Sequence, residues 1–309
     1  MSFTSGVKDE LSKISFSKIE NISELSAVIQ CSLIQSNSIL ITTENNSVAR
    51  KIYCLIKEIF DVVPKITVRK GYNYSKKLLY LLEVKNQISF LLKQLGINGN
   101  IPEEFIVADN SLIAAYLRGV FFMTGSINDP KTSRYHMEFN INNVEFANFL
   151  CLLLNKYDLN SKVLHRDNRY MVYIKEAEKI GDFLRILGVS KAVLYYEDIR
   201  IYRDHKNMTN RLNNCEQANV DRIIETANKQ ISDINLIDKF YGLDYLGEKE
   251  YEAAIYRLKY SDASLIELSE IISLETGNKI TKSGLYHRFY KIKQLANKIR
   301  KNENLQELS

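Results

Sequence analysis

The sequence predicts an α+β fold: a duplicated αββαββα body with pseudo-two-fold symmetry and two saddle-like sheets, followed by an all-helical domain. Three observations carry this prediction. The order helix, two strands, helix, two strands, helix occurs twice between about residues 21 and 198. Each copy ends on a closely similar glycine-stopped helix, LLKQLGI at Leu91 and FLRILGV at Phe183. Beyond residue 220 no strand pattern recurs, and apolar residues return at helical steps of three and four.

In the first copy, ISELSAVIQCSLI reads as a helix, ILITT as a strand and NNSVARKIYCLIKEIF as an amphipathic helix. KITVRK and KLLYLLEVK form a hairpin, and QISFLLKQLGI closes the unit at its glycine. The link IPEEFIVADN follows, with Pro102 suited to start a helix. The second copy then runs SLIAAYLRGVFFMTG, RYHMEFNI, NNVEFANFLCLLLNKY, SKVLHRD with RYMVYIKE, and AEKIGDFLRILGV. Laying the copies together pairs Asn46 with Asn143 and Cys54 with Cys151. The symmetric solution sets the first helix of each copy at the centre, where Ala27 and Gly119 offer small residues at the crossing.

Composition narrows the class of protein. The chain has 309 residues, 45% hydrophobic and 26% charged, enough for two or three domains with a sizeable core. Its net charge of +5 and pI near 8.8 lean basic, so the placement of the charge matters more than its sum. Cys31, Cys54, Cys151 and Cys215 form no CxxC pair, and four scattered histidines offer no metal spacing. Reduced thiols and a cytoplasmic location are therefore expected, with no cofactor. MSFTSGVKDELSKISFSK carries charges throughout and lacks a signal-peptide core, and Arg118 interrupts the longest apolar run, so no membrane partner is expected.

Between residues 190 and 219 the composition shifts towards Arg, Asn and charge. Arg200, Arg203, Lys206 and Arg211 suit phosphates, and Asn207, Asn213 and Asn214 suit backbone or base edges; a solvated linker fits the same composition. Helices follow over 219–239 and 247–260. Ser264 and Glu267 spell a capping box for a short helix over 264–273, with Leu265, Leu268, Ile271 and Ile272 on its buried side. After the turn SLETGNKI, Thr281 caps a longer helix whose buried stripe is Leu285, Phe289, Ile292, Ala296 and Ile299.

From Thr276 to Asn302 there are eight Lys or Arg and no Asp or Glu, the electrostatic footprint of a helix meant for a phosphate-lined groove. A short capped helix, a tight turn and a basic helix are the parts of a helix-turn-helix. Lys282, Ser283, Tyr286 and His287 lie near the start of the second helix and suit base edges. Lys279, Arg288, Lys291 and Lys293 suit phosphates, with Arg288 also able to read a guanine.

The central helices LSAVIQCSL and LRGVFFMTG, set in this repeat, resemble the LAGLIDADG homing endonucleases. YLRGVFFMTGSINDPKTSRYHMEF, KEAEKIGDFLRILG, RLNNCEQAN and DASLIELSEII with ITKSGLYHRF look like the WhiA family over essentially the whole chain. The resemblance implies a degenerate homing-endonuclease scaffold joined to a helix-turn-helix similar to region 4 of sigma factors. It also implies roles in transcription, cell division and chromosome segregation, and in sporulation where that occurs. As partners it implies double-stranded promoter DNA and another transcription or division regulator, with a nucleoid location. In the nucleases the last acid of each central motif holds a divalent metal; Ser32 and Thr124 stand there in this chain, and neither hydroxyl substitutes for a carboxylate ligand. Leu33 stands where the first motif would often keep glycine.

The division expected is 1–20 as an N-terminal segment, 21–100 and 101–198 as the two halves, 199–220 as a joint and 221–309 as the helical domain. DNA contact is expected at Lys279, Thr281, Lys282, Ser283, Tyr286, His287, Arg288, Lys291 and Lys293, joined by Arg203, Lys206 and Arg211. Two other readings stay open: an active DNA endonuclease, and an interaction protein with only general DNA affinity. Lys65, Arg69, Arg134, Lys162, Arg166 and Arg169 on the predicted strands keep a DNA-binding saddle among them.

Overall fold

The computed structural model of the protein describes residues 2–70, 78–132, 134–166 and 169–306. Lys77 at the head of KLLYLLEVK, Asp167 at the end of SKVLHRD and the last three residues of the helical domain lie outside the described residues. The chain divides into two compact units, Met1–Asp204 and His205–Ser309.

The first unit holds the duplication. Helix α1 (Phe3–Leu11) precedes it, within the N-terminal segment for which the sequence predicts no element; Val7 and Leu11 are buried, and Thr4 exchanges hydrogen bonds with the backbone of Ile127. The first copy comprises α2 (Lys18–Gln30), β1 (Leu33–Gln35), β2 (Ser38–Thr43), α3 (Asn46–Phe60), β3 (Lys65–Lys70), β4 (Leu78–Val84) and α4 (Ile88–Gln94). After a 3-10 turn at Glu104–Val107, shorter than the helix start read at Pro102, come α5 (Asn110–Thr124), β5 (Gly125–Ile127), β6 (Met137–Ile141), α6 (Val144–Asn155), β7 (Lys162–Arg166), β8 (Arg169–Ile174) and α7 (Ala177–Leu187).

Two antiparallel sheets result, ordered β1-β2-β4-β3 and β5-β6-β8-β7, so the second copy repeats the topology of the first. Alternation along the strands sets one face inward: Ile39 and Ile41 pair across to Val84 and Leu82, as Phe139 and Met137 pair to Val172 and Ile174. Helices α3 and α6 cover these faces. Their buried residues match one for one, Val48 with Phe146, Ala49 with Ala147, Ile52 with Leu150, Leu55 with Leu153 and Ile56 with Leu154, and their N-caps are Asn45 and Asn143. This register corrects the sequence alignment of Asn46 with Asn143 and Cys54 with Cys151 by one residue. Burial and capping fix the equivalence, and the shared Asn and Cys letters are coincidental.

Helices α2 and α5 pack along one another at the centre. A methyl group on Gly119 would stand 2.7 Å from the Ala27 Cβ and collide with the Glu24 carbonyl, so the glycine permits the close approach. Beside the crossing, Arg118 is buried, its guanidinium 3.6 Å above the Phe16 ring and 3.2 Å from Glu24 and 3.3 Å from Glu20. Helix α2 stops at Gln30, earlier than read, because Cys31 caps it and residues 33–35 turn into β1. Leu33 is tolerated at the glycine position because it points outward, 55% exposed. Its counterpart Gly125 cannot be enlarged, since a Cβ there would strike the Phe121 ring.

Helix α8 (Ser190–Tyr241) opens in the first unit and closes in the second, and the stretch 199–220 is helical throughout. The second unit continues with α9 (Glu248–Lys259), α10 (Leu265–Thr276) and α11 (Lys282–Gln306). Its core gathers Ile234, Ile237, Leu246, Leu268, Ile272, Leu285, Phe289 and Ile292. No helix among the described residues is long and apolar enough to cross a membrane.

Candidate nucleic-acid interface

The local chemistry of the second unit produces two helices joined by a tight turn. Ser264 accepts the Glu267 N–H while the Glu267 carboxylate accepts the Ser264 N–H at 2.7 Å, a reciprocal capping box that starts α10. These bonds hold the Glu267 carboxyl below its usual range. Gly277, at φ +72°, ends the helix in a conformation that side chains resist, and Ser273 accepts the Ile280 N–H to tie the turn back. Thr281 then accepts the Gly284 N–H at 3.2 Å and opens α11. All five residues read as its buried stripe, Leu285, Phe289, Ile292, Ala296 and Ile299, are buried.

That packing decides which basic side chains remain outside. Lys279, Thr281, Lys282, Ser283, Tyr286 and His287 are all exposed, gathered at the turn and the first two turns of α11. Tyr286 is 54% exposed, its ring stacked beside Tyr290 and edge-on to His287. Lys293 is exposed one turn further on. Arg288 and Lys291 turn the other way, onto α9. Arg288 pairs with Glu252 and donates to the Lys249 carbonyl, and Lys291 lies 2.9 Å from Glu250.

The three residues read from the joint all lie on α8. Arg203, in the first unit, donates to the Pro130 and Thr132 carbonyls and lies 4.5 Å over the Tyr135 ring. Lys206 and Arg211 sit on α8, in a stretch from Asp204 to Thr226 that is exposed at every residue.

Sequence reasoning missed the acidic side of α9, although Glu250 and Glu252 beside an apolar Ala253-Ala254 pair signal an amphipathic helix with a negative rim. It also missed Arg257, a cation at a position of the buried stripe, 1% exposed and 5.5 Å from the Phe289 ring.

In the first unit the ends of the two central helices share one small cavity of about 160 Å³, lined by Ser32, Thr124, Gln30, Asn100, Asn140 and Asn143 among others. Both hydroxyls turn back on their own helices: Ser32 Oγ donates to the Val28 carbonyl at 2.7 Å and Thr124 Oγ1 to the Val120 carbonyl at 3.0 Å. The lining combines these hydroxyl and amide residues with Cys31, Ile141 and Phe146, and among the described residues no cluster of three or more His, Cys, Asp or Glu could hold a metal.

Comparison with known proteins agrees with both units. Profiles described as the WhiA N-terminal LAGLIDADG-like domain, the WhiA LAGLIDADG-like domain and the WhiA C-terminal HTH domain match residues 18–98, 113–206 and 209–296. A protein named probable cell division protein WhiA from Ligilactobacillus salivarius is 39% identical over 316 residues, covering 99% of each chain. Its namesake from Staphylococcus aureus is 41% identical over 316 residues, covering 99% of this chain and 100% of that one. The crystal structure of full-length WhiA from Thermatoga maritima aligns with a TM-score of 0.59 at 26% identity, covering 96% of this chain and 99% of that one.

Proposed function

The chain belongs to the WhiA family, and we propose that it is a transcription regulator that reads promoter DNA with α11 on a scaffold that has lost nuclease chemistry. One observation supports this reading above the others. The first two turns of α11 expose Lys282, Ser283, Tyr286 and His287, with Lys279 in the turn before them and no acid among them. A helix that enters the major groove by its N-terminal turns needs this arrangement, polar side chains for base edges and cations for the flanking phosphates.

The two helix ends support the loss of nuclease chemistry in this reading. Magnesium requires charged oxygen ligands, and Ser32 and Thr124 offer only hydroxyls already bound to backbone carbonyls. Within the same proposal the chain divides at 1–20, 21–100, 101–198, 199–220 and 221–309, works at the nucleoid, and takes promoter DNA and a second transcription or division regulator as partners. Lys291 and Arg288 contribute to phosphate binding only when they leave Glu250 and Glu252, so Lys279, Lys282 and Lys293 carry most of that term.

A map of bound sites across the genome, made at stated salt, tests the proposal. Enrichment in promoter regions with a shared sequence is the expected result, and uniform coverage would reduce the protein to a general nucleoid binder.

A further inference from the structure

Beside the proposed DNA-reading turns, the second unit contains a cavity of about 290 Å³ lined by Arg222, Ile223 and Thr226 of α8, Arg257 of α9, Ala263 to Ile266 at the start of α10, and Lys282 of α11. Three of these residues are cationic and none is acidic.

Arg257 is the telling residue. It is 1% exposed, yet its hydrogen-bond acceptors are all neutral: the Gln230 Oε1 at 3.0 Å and the carbonyls of Tyr260, Ser261 and Ala263 at 3.3, 3.5 and 2.5 Å. Burying a guanidinium without a carboxylate is costly, and desolvation pulls its pKa below the usual arginine value. These acceptors are met by its Nε and Nη1 atoms, and none of these bonds is made by Nη2. Of the acids flanking the α10 start, Glu267 accepts the Ser264 N–H and Asp262 accepts the Ser261 hydroxyl. Among the described residues no carboxylate pairs with any of the three cations, so the cavity concentrates positive charge.

We propose that this cavity is a phosphate site, in which Arg257 from the floor and Arg222 and Lys282 from the rim hold a phosphate group while Ile223, Leu265 and Ile266 cover an apolar portion of the same ligand. A guanidinium pair and an ammonium match the charge and the oxygen count of a phosphate better than those of a monovalent carboxylate. The apolar wall, with Ile223 37% and Ile266 51% exposed, fits an organic phosphate better than the bare ion. Lys282 is shared with the DNA reading above, whereas Arg222 and Arg257 have no part in it, so a substitution at Arg222 tests the phosphate site separately from that reading.

The test is titration calorimetry on the full chain with phenyl phosphate and with a short duplex, at constant ionic strength, for the wild type and Arg222→Glu. Arg257→Met is informative only if it folds, whereas Arg222 sits on an exposed helix face and its replacement leaves the core intact. Saturable phenyl phosphate binding, one per chain and weakened at least tenfold by Arg222→Glu, is the expected result and identifies a small organic phosphate as ligand. If phenyl phosphate does not bind but the duplex does so with the same Arg222 dependence, the phosphate comes from a DNA backbone. If Arg222→Glu changes neither binding, the phosphate site does not exist, and DNA binding through Tyr286 and His287 stands or falls separately.

Discussion

Gly119 and Ala27 face each other where α5 crosses α2, so closely that the Glu24 carbonyl occupies the space a side chain on Gly119 would need. The two copies of the repeat are joined at this contact, and it explains why one partner is glycine and the other alanine. Gly119→Leu should force the helices apart and destabilise the first unit by about 3 kcal/mol or more, with Gly119→Ala intermediate. Urea unfolding followed by circular dichroism measures this; an unchanged midpoint for Gly119→Leu would mean the crossing can relax.

Thr124→Ala and Ser32→Ala should each change stability by no more than about 1 kcal/mol, since each removes one hydroxyl bonded to its own helix. Neither should alter DNA binding, and the wild-type protein should leave supercoiled plasmid intact with magnesium or manganese. Cleavage lost on mutating these helix ends would restore the endonuclease reading.

Lys8 supplies a pH signature. It points into the first unit, 5.4 Å from the Phe121 ring centroid, and burial lowers its pKa to about 8, with Glu44 opposing the shift. The unfolded chain keeps the ordinary lysine value, so between about 8 and the ordinary range the unfolded state binds more protons and stability rises with pH. The contribution is complete above the unfolded value and is lost as pH falls through the folded one. Lys8→Met should therefore be more stable than wild type at pH 7, with the gap closing towards pH 10 in paired urea titrations. A gap independent of pH would show that Lys8 is not desolvated.

Arg288 and Lys282 should separate stability from binding. Arg288→Ala removes the ion pair with Glu252 and should lower stability by about 1 kcal/mol. Lys282→Ala should leave the unfolding midpoint in place and weaken duplex binding by about 1–2 kcal/mol. Thermal unfolding and fluorescence anisotropy on the same preparations distinguish them; reversed behaviour would mean that Arg288 swings out to DNA and Lys282 does not reach it.

The duplicated topology, the central seam, the capping box and the buried stripe of α11 were legible in the sequence because each rests on local periodicity or cap chemistry. The one-residue error at α3 and α6 arose because identical letters, Asn46 with Asn143 and Cys54 with Cys151, outweighed the burial pattern that sets the true register. Helix α1 escaped notice because its short run is strongly charged and its partners lie far along the chain, at Ile127. The site was legible only as far as one helix could carry it. That Arg288 and Lys291 face α9, and that Arg203 binds the turn at Pro130 and Thr132, are tertiary facts that no spacing within α11 or α8 encodes.

The central claim is that the N-terminal turns of α11 read DNA, and the most direct measurement is fluorescence anisotropy of the full chain on promoter duplex against scrambled duplex over a range of salt. Tyr286→Ala with His287→Ala should abolish the preference for promoter sequence while retaining salt-dependent binding to both, and Lys279→Ala should weaken both alike and reduce the salt slope by about one. Sequence preference retained in full by the Tyr286→Ala, His287→Ala variant would contradict the account.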